Sequence, residues 1–354
     1  MSFISAINIF LNSVLNANRK LGTMAMTQVV SAFIAFLVAY PLLTLLAAEM
    51  SFVSILFALH CCWFIFNSYA LKYYGIKLGV LSSFSESFEK ANLRQFRSLA
   101  SASFIVGVSG VLTILFVRLM VEDKYGVASL GIFDAAWTLG TIYLVFILSS
   151  FGTFVLPAFS SLNEIRFVSP QFNKIVPLIL SVFLPLIITM LTFNEFILSF
   201  FYSKEFVGSK ELLSLFLVGD VFKILSWCLS ILFLAFNKSL VFVVTSLLWN
   251  LLFIVQSYYG LNIYGLEGLG FAYITTQIIN LVCLYLIVTN KFGVVLRKKV
   301  ILLSIAVILV VVITAILNSN GSNYLLYAGL MISYFSVVAF FFRVQIRGYV
   351  SRRF

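Results

Sequence analysis

Residues Leu215 to Trp227 read LFLVGDVFKILSW. An acid and a base, Asp220 and Lys223, stand three positions apart in an otherwise apolar run that extends from about residue 211 to 236. Side chains at i and i+3 are neighbours on a helix surface, so the two charges share a face. A helix needs about 20 apolar residues to cross a bilayer, and this run is long enough. A charge near the bilayer centre costs ~2.5–3.5 kcal/mol on insertion scales and therefore faces a bundle interior or a watery cavity. The stretch predicts a membrane-spanning helix with a polar stripe turned inward. At 1.5 Å per residue from its outer end, Asp220 lies roughly 14 Å deep and Lys223 roughly 18 Å.

The rest of the chain repeats the pattern. Of its 354 residues 62% are hydrophobic and 10% charged, with a mean hydropathy of +1.11, more apolar surface than one soluble core hides. Apolar runs fall near 23–48, 52–71, 99–118, 129–155, 176–202, 211–236, 239–259, 267–290, 300–318 and 324–342. The expected fold is all-α, a polytopic transmembrane bundle of about ten full spans. A further piece, 3–17, is about 22 Å long and too short to span alone. Without a basic n-region or small-residue cleavage site it does not read as a signal peptide, but as the latter half of a helix that begins upstream. The runs are too long for barrel strands.

Charge sets the orientation. When loops are assigned to alternate sides, 18 of the 23 Lys and Arg fall on one face, from Arg19 and Lys20 to Arg352 and Arg353. The other face holds Lys124, Lys204 and Lys210 beside acids such as Glu122, Asp123, Glu205 and Glu211. The positive-inside rule makes the basic face, and the C-terminus RVQIRGYVSRRF, cytoplasmic. The tail also suits anionic lipid. This distribution accounts for the net charge of +11 without nucleic acid. The longest connection, Gly79 to Ser98, has apolar residues near helical spacing and reads as an amphipathic interfacial linker.

No phosphate-binding loop, kinase set, Gly-rich nucleotide fingerprint or H-E-x-x-H occurs in the sequence, so no cofactor, metal or enzymatic site is expected. Cys61, Cys62, Cys228 and Cys283 lie inside spans without metal-ligand spacing and read as packing residues. The informative groups are the polar ones at membrane depth. Besides Asp220 and Lys223, they are Arg118 and Asp134, which a hairpin across LMVEDKYGVASLGIF would bring together, and Glu195 near the outer end of its span. His60 is the only histidine. Glu195 and His60 are candidates for coupling or gating, while Asn67, Asn250, Gln256, Gln277 and Asn280 read mainly as interhelical hydrogen-bonding groups. Lys223 suits phosphate as a point charge and Arg118 as a fork. Trp137, Tyr143, Trp227 and Trp249 offer faces for sugar rings or lipid chains, or serve as packing and interface anchors.

Three patches carry a resemblance. VEDKYGVASLGIFDAAWTLGTIYLVFILSSFGTFVLPAFSSLNE is similar to the middle of bacterial polysaccharide flippases. LVGDVFKILSWCLSILFLAFNKSLVFVV resembles a helix pair of lipid-linked oligosaccharide translocases of the enterobacterial common antigen and O-antigen type. NIYGLEGLGFAYITTQII resembles the opening of their following helix, without the final Tyr of that pattern. The resemblance implies two lobes of six helices, within the multidrug, oligosaccharidyl-lipid and polysaccharide exporter superfamily. It also implies flipping of undecaprenyl-pyrophosphate-linked oligosaccharide across the bacterial inner membrane by alternating access, in company with membrane lipids and other polysaccharide-assembly proteins. On this alignment 1–78 is a remnant of the first lobe lacking its first three to four helices. Residues 79–98 are a linker, 99–292 the second lobe, and 293–354 two extra helices with the basic tail. Arg118, Asp220 and Lys223 match basic and acidic positions of the family, and Asp134 matches less firmly. Two alternatives stand beside the flippase: a cation-coupled multidrug exporter, with Asp134, Glu195 or Asp220 binding the ion, and a membrane-embedded glycan polymerase.

Overall fold

A computed structural model describes residues 2–18, 20–45, 48–76, 90–162 and 167–319. Among these residues every regular element is helical, and eight segments are long and apolar enough to cross a membrane. The chain divides into two compact units, Met1–Lys90 and Ala91–Phe354.

In the first unit, α1 (Ser2–Ala17), α2 (Leu21–Leu45) and α3 (Ala48–Tyr73) pack together. Leu11 and Leu15 bury against Ala70 and Leu71. Asn8 Nδ2 donates to the His60 carbonyl at 2.8 Å, and Thr27 Oγ1 donates to Asn67 Oδ1 at 2.9 Å. These are the interhelical amide bonds expected where lipid offers no partner.

The second unit opens with α4 (Lys90–Ser160), which is broken at Gly126, where φ is 78°. A positive φ of this kind strains any residue with a Cβ, so glycine stands there. The two limbs fold back on each other. Arg118 and Asp134, equidistant from Gly126 in sequence, meet at 2.7 Å, whereas a straight helix would separate them by about 24 Å. The sequence suggested a loop between spans ending at 118 and starting at 129. Instead the helix continues on both sides to one glycine, because only that residue has to leave the helical region.

A second correction concerns the expected span 176–202. α5 (Val168–Thr192) begins earlier and runs unbroken through Pro177 and Pro185. The chain breaks at Phe193, and the separate short α6 (Asn194–Phe201) follows. Thr189 Oγ1 donates to the Pro185 carbonyl at 2.7 Å. A short 3-10 helix, Lys204–Ser209, leads into α7 (Lys210–Ala235), followed by α8 (Ser239–Tyr264), α9 (Glu267–Phe292) and α10 (Lys298–Ser319). Of the expected linker 79–98, residues 79–89 lie outside the described residues, as do the span at 324–342 and the basic tail, while residues 90–98 form the start of α4.

α7 is the core helix of the second unit. It is apolar nearly all round, which marks a buried helix, and α5, α8, α9 and α10 pack on it. The second limb of α4 runs alongside it, with Gly140 against Phe216 and Gly152 against Trp227. The first limb is tied to α8 at three levels. Ser98 bonds Ser239 at 2.6 Å, Asn250 Nδ2 donates to Ser109 Oγ at 2.8 Å, and Tyr125 Oη donates to the Leu261 carbonyl at 2.8 Å.

α8 and α9 approach most closely at Gly260 and Gly268, where a Cβ on either residue would overlap the other's backbone. Gly268→Ala therefore forces the helices apart and should cost about 1–3 kcal/mol, as overpacking does. A lower unfolding temperature in detergent checks this. An unchanged one shows that the pair can separate freely.

Candidate functional site: a polar cavity around Lys223

Two polar stripes at helical spacing face one another inside the second unit. α7 contributes Asp220, Lys223, Ser226 and Trp227, and α9 contributes Tyr273, Gln277 and Asn280. Residues three and four apart share a helix face, so each set forms a single stripe.

Asp220 is 1% exposed, and both its carboxylate oxygens are occupied. Tyr143 from α4 donates to Oδ2 at 2.6 Å and Tyr273 from α9 donates to Oδ1 at 2.7 Å. One carboxylate thus clamps three helices. The Tyr273 ring lies over Gly219, where a Cβ would overlap it.

Lys223 is not the salt-bridge partner of Asp220 that its position in the sequence allows. Among the described residues its ammonium forms no salt bridge and no hydrogen bond. Nζ lies 5.9 Å from the centroid of Trp137 and 5.6 Å from that of Tyr273. Trp137 is itself fixed in an aromatic stack with Phe133 and Phe253. Aromatic faces attract a cation but do not neutralise it.

Beside Lys223 lies a cavity of about 310 Å³, lined from α7, α8, α9 and the first limb of α4 by Ser226, Trp249, Asn250, Gln277 and Asn280, among others. Three of the lining residues also carry deeply buried polar atoms: Ser226 Oγ, Trp249 Nε1 and the Gln277 carboxamide, the last beside the Tyr273 hydroxyl. Lys223 lies about 20 Å along α7 from its first residue, halfway through the helix.

The other residues singled out from the sequence lie elsewhere. Arg118 and Asp134 pair with one another, with side chains 41% and 35% exposed. Glu195 accepts from Lys210 at 2.7 Å beside a different cavity, near Glu211 and Glu267. His60 lies in the first unit, where its Nδ1 is 2.8 Å from the Leu56 carbonyl in its own helix. The four cysteines are free. Because the Glu195–Lys210 pair is exposed, Glu195→Gln should change stability by less than ~1 kcal/mol. A loss of several kcal/mol in chemical unfolding would show that the pair is structural.

Tyr273 and Ser226 are absent from the sequence candidates. Spacing carried a signal for both: Ser226 follows Lys223 by three, and Tyr273, Gln277 and Asn280 form a stripe of their own.

No family model matches the chain. Among curated proteins, the lipid III flippases of Escherichia coli (strain K12) and Shigella flexneri are each 24% identical to it over 206 residues. That stretch is 58% of this chain and 50% of each relative, so the chain spans about half the length of the curated relatives it matches. Among solved structures, an outward-facing multidrug resistance MATE family transporter of the MOP superfamily superposes with a TM-score of 0.66 at 12% identity. The match covers 82% of this chain and 67% of that one. The chain has the fold of that transporter. A MATE protein crystallised with MaL6 gives the same TM-score at 15% identity. Both sets of relatives are named as transporters, and this chain shares with the solved ones a fold built of helices long and apolar enough to cross a membrane.

Proposed function

We propose that this protein flips a lipid-linked oligosaccharide, an O-antigen-type unit on undecaprenyl pyrophosphate, from the cytoplasmic to the outer leaflet of the bacterial inner membrane by alternating access. The observation that carries this reading is Lys223, a cation without a salt bridge among the described residues, halfway along a buried helix and lining a cavity. A fixed charge there is costly and is accounted for by a passing anion. The lipid III flippase relatives supply the substrate class. Arg118 and Asp134, as a half-exposed pair, form an outer-mouth contact for the same substrate, and Glu195 and His60 remain candidates for coupling or gating. The basic face and the C-terminus are cytoplasmic on this reading. Residues 99–292 act as the second lobe and 1–78 as part of the first, joined by the linker 79–98, with 293–354 forming the appended helices and tail. Other polysaccharide-assembly proteins are its working partners.

Expression of the chain, or of an upstream-extended form, in a strain lacking its O-antigen or lipid III flippase should restore surface polysaccharide. Failure of both forms contradicts the proposal. In an active background Lys223→Ala should lower surface polysaccharide more than Asn280→Ala at equal protein levels. Equal losses would remove the special role of Lys223.

The MATE likeness of the fold favours one second reading, a cation-coupled multidrug exporter using Asp220. It predicts drug resistance that Asp220→Asn abolishes, whereas the flippase reading predicts no resistance phenotype.

A further inference from the structure

We propose that the basic end of the second unit holds an anionic phospholipid, with its phosphate against Lys174, Arg297, Lys298 and Lys299 and an acyl chain in the apolar groove between α5, α7, α9 and α10. The inference stands apart from the flippase reading and does not depend on it.

The groove has a volume of about 320 Å³. Ile301, Ile305 and Ile308 supply its α10 wall, which runs for about 10 Å at the helical rise. Phe172 and Val176 from α5 and Leu286 from α9 also line it. Of the lining side chains only Ser304 and Tyr285 carry a polar atom, and Ser304 Oγ is spent on the Val300 carbonyl of its own helix at 2.9 Å. Such a groove takes a hydrocarbon chain.

Charge stands at one end of it. Leu296 and Ile301, both lining residues, bracket Arg297, Lys298 and Lys299 in the chain, and Phe172 stands two residues before Lys174. These four cations are exposed and form no salt bridge among the described residues. The surrounding elements have no carboxylate to offer. α5 contains no acid, and beyond Asp220 the only acid in the chain is Glu267, at the opposite end of α9.

The positive-inside rule accounts for basic residues at a membrane face, but not for the way these are held. Gly293 ends α9 in the left-handed conformation, with φ at 60°, and its N–H donates to the Thr289 carbonyl at 2.9 Å. Two side chains of α5 then pin the turn that follows. Ser169 Oγ and Asn173 Nδ2 donate to the Val295 carbonyl at 2.8 and 2.9 Å, and the Arg297 N–H donates to Asn173 Oδ1 at 2.7 Å. Asn173 thereby brings its neighbour Lys174 and the three cations at the start of α10 to one place. The N-terminus of α10 favours an anion there as well.

A soluble phosphate would use the cations and leave the groove empty, and a neutral lipid would fill the groove and leave the cations unpaired. An anionic phospholipid uses both, and basic pockets between helices at a membrane face take such headgroups.

The test is native mass spectrometry of the purified 354-residue chain, titrated with dioleoyl phosphatidylglycerol and with dioleoyl phosphatidylcholine. The anionic lipid should bind roughly tenfold tighter or more, the contribution of one or two basic side chains near a headgroup. Arg297→Gln, Lys298→Gln and Lys299→Gln together should remove that preference and leave phosphatidylcholine binding unchanged. Ile305→Trp, which fills the groove and keeps every charge, should weaken phosphatidylglycerol binding severalfold. Unfolding temperatures are read alongside, and if the triple variant is misfolded, Lys174→Gln with Lys298→Gln takes its place.

Equal binding of the two lipids, or a folded charge variant that keeps the preference, overturns the proposal. So does an Ile305→Trp protein with wild-type affinity, because loose attraction to a basic surface does not need the groove. Displacement of phosphatidylglycerol by an equimolar amount of undecaprenyl phosphate would assign the groove to a polyprenyl lipid and overturn it too.

Discussion

Asp220→Ala is expected to destabilise the second unit by roughly 2–5 kcal/mol and to abolish transport. The substitution leaves the hydroxyls of Tyr143 and Tyr273 buried without acceptors, and an orphaned buried polar group costs about 1–3 kcal/mol. It also releases α4 and α9 from α7, since the carboxylate is the group through which all three are bonded. Asp220→Asn keeps one carbonyl acceptor and should lose less. Chemical unfolding of the purified chain measures the difference. A double-mutant cycle isolates the cause: in a Tyr143→Phe, Tyr273→Phe background, Asp220→Ala should cost far less than in the wild type. Equal costs in both backgrounds would show that the clamp does not contribute.

Lys223 should behave in the opposite way. Lys223→Met keeps the unbranched shape and removes a charge that forms no salt bridge within the described residues. The aromatic contacts of the ammonium are worth ~0.5–2 kcal/mol and the attraction of Asp220 adds to them, while burial of a charge at membrane depth costs ~2.5–3.5 kcal/mol. The variant should therefore be as stable as the wild type or more stable, by up to about 3 kcal/mol. Transport should nevertheless fall to background. This combination separates a functional charge from a structural one, because function is often retained at a cost in stability. A Lys223→Met protein that is less stable by several kcal/mol would mean that Lys223 is paired in the fold and is not held ready for a ligand.

The two charges illustrate what the sequence reveals and what it conceals. That Asp220 and Lys223 share an inward face follows from their spacing and from the cost of charge in lipid, and both are found inside the bundle. That they form no direct salt bridge does not follow, because the carboxylate oxygens are taken by Tyr143 and Tyr273, which lie 77 and 53 residues away from Asp220. No local pattern announces which helices converge on a carboxylate. Spans were legible because a continuous apolar run is a strong signal, and α8 and α9 begin and end close to where hydropathy puts them. Boundaries were less legible where the helix continues through polar residues. Glu122, Asp123 and Lys124 read as a loop, yet the helical backbone persists to Gly126. The run 176–202 read as one span, yet α5 stays helical through Pro177 and Pro185 and the break falls at Phe193.

The central claim is that Lys223 receives the anionic headgroup of a lipid-linked glycan. It is tested most directly by the affinity of the purified chain in nanodiscs for an undecaprenyl-pyrophosphate-linked oligosaccharide, compared between wild type and Lys223→Met. The account predicts binding weakened by roughly tenfold or more, the value of a charge-assisted bond, in a protein of undiminished stability. Equal affinity in the two proteins would contradict it.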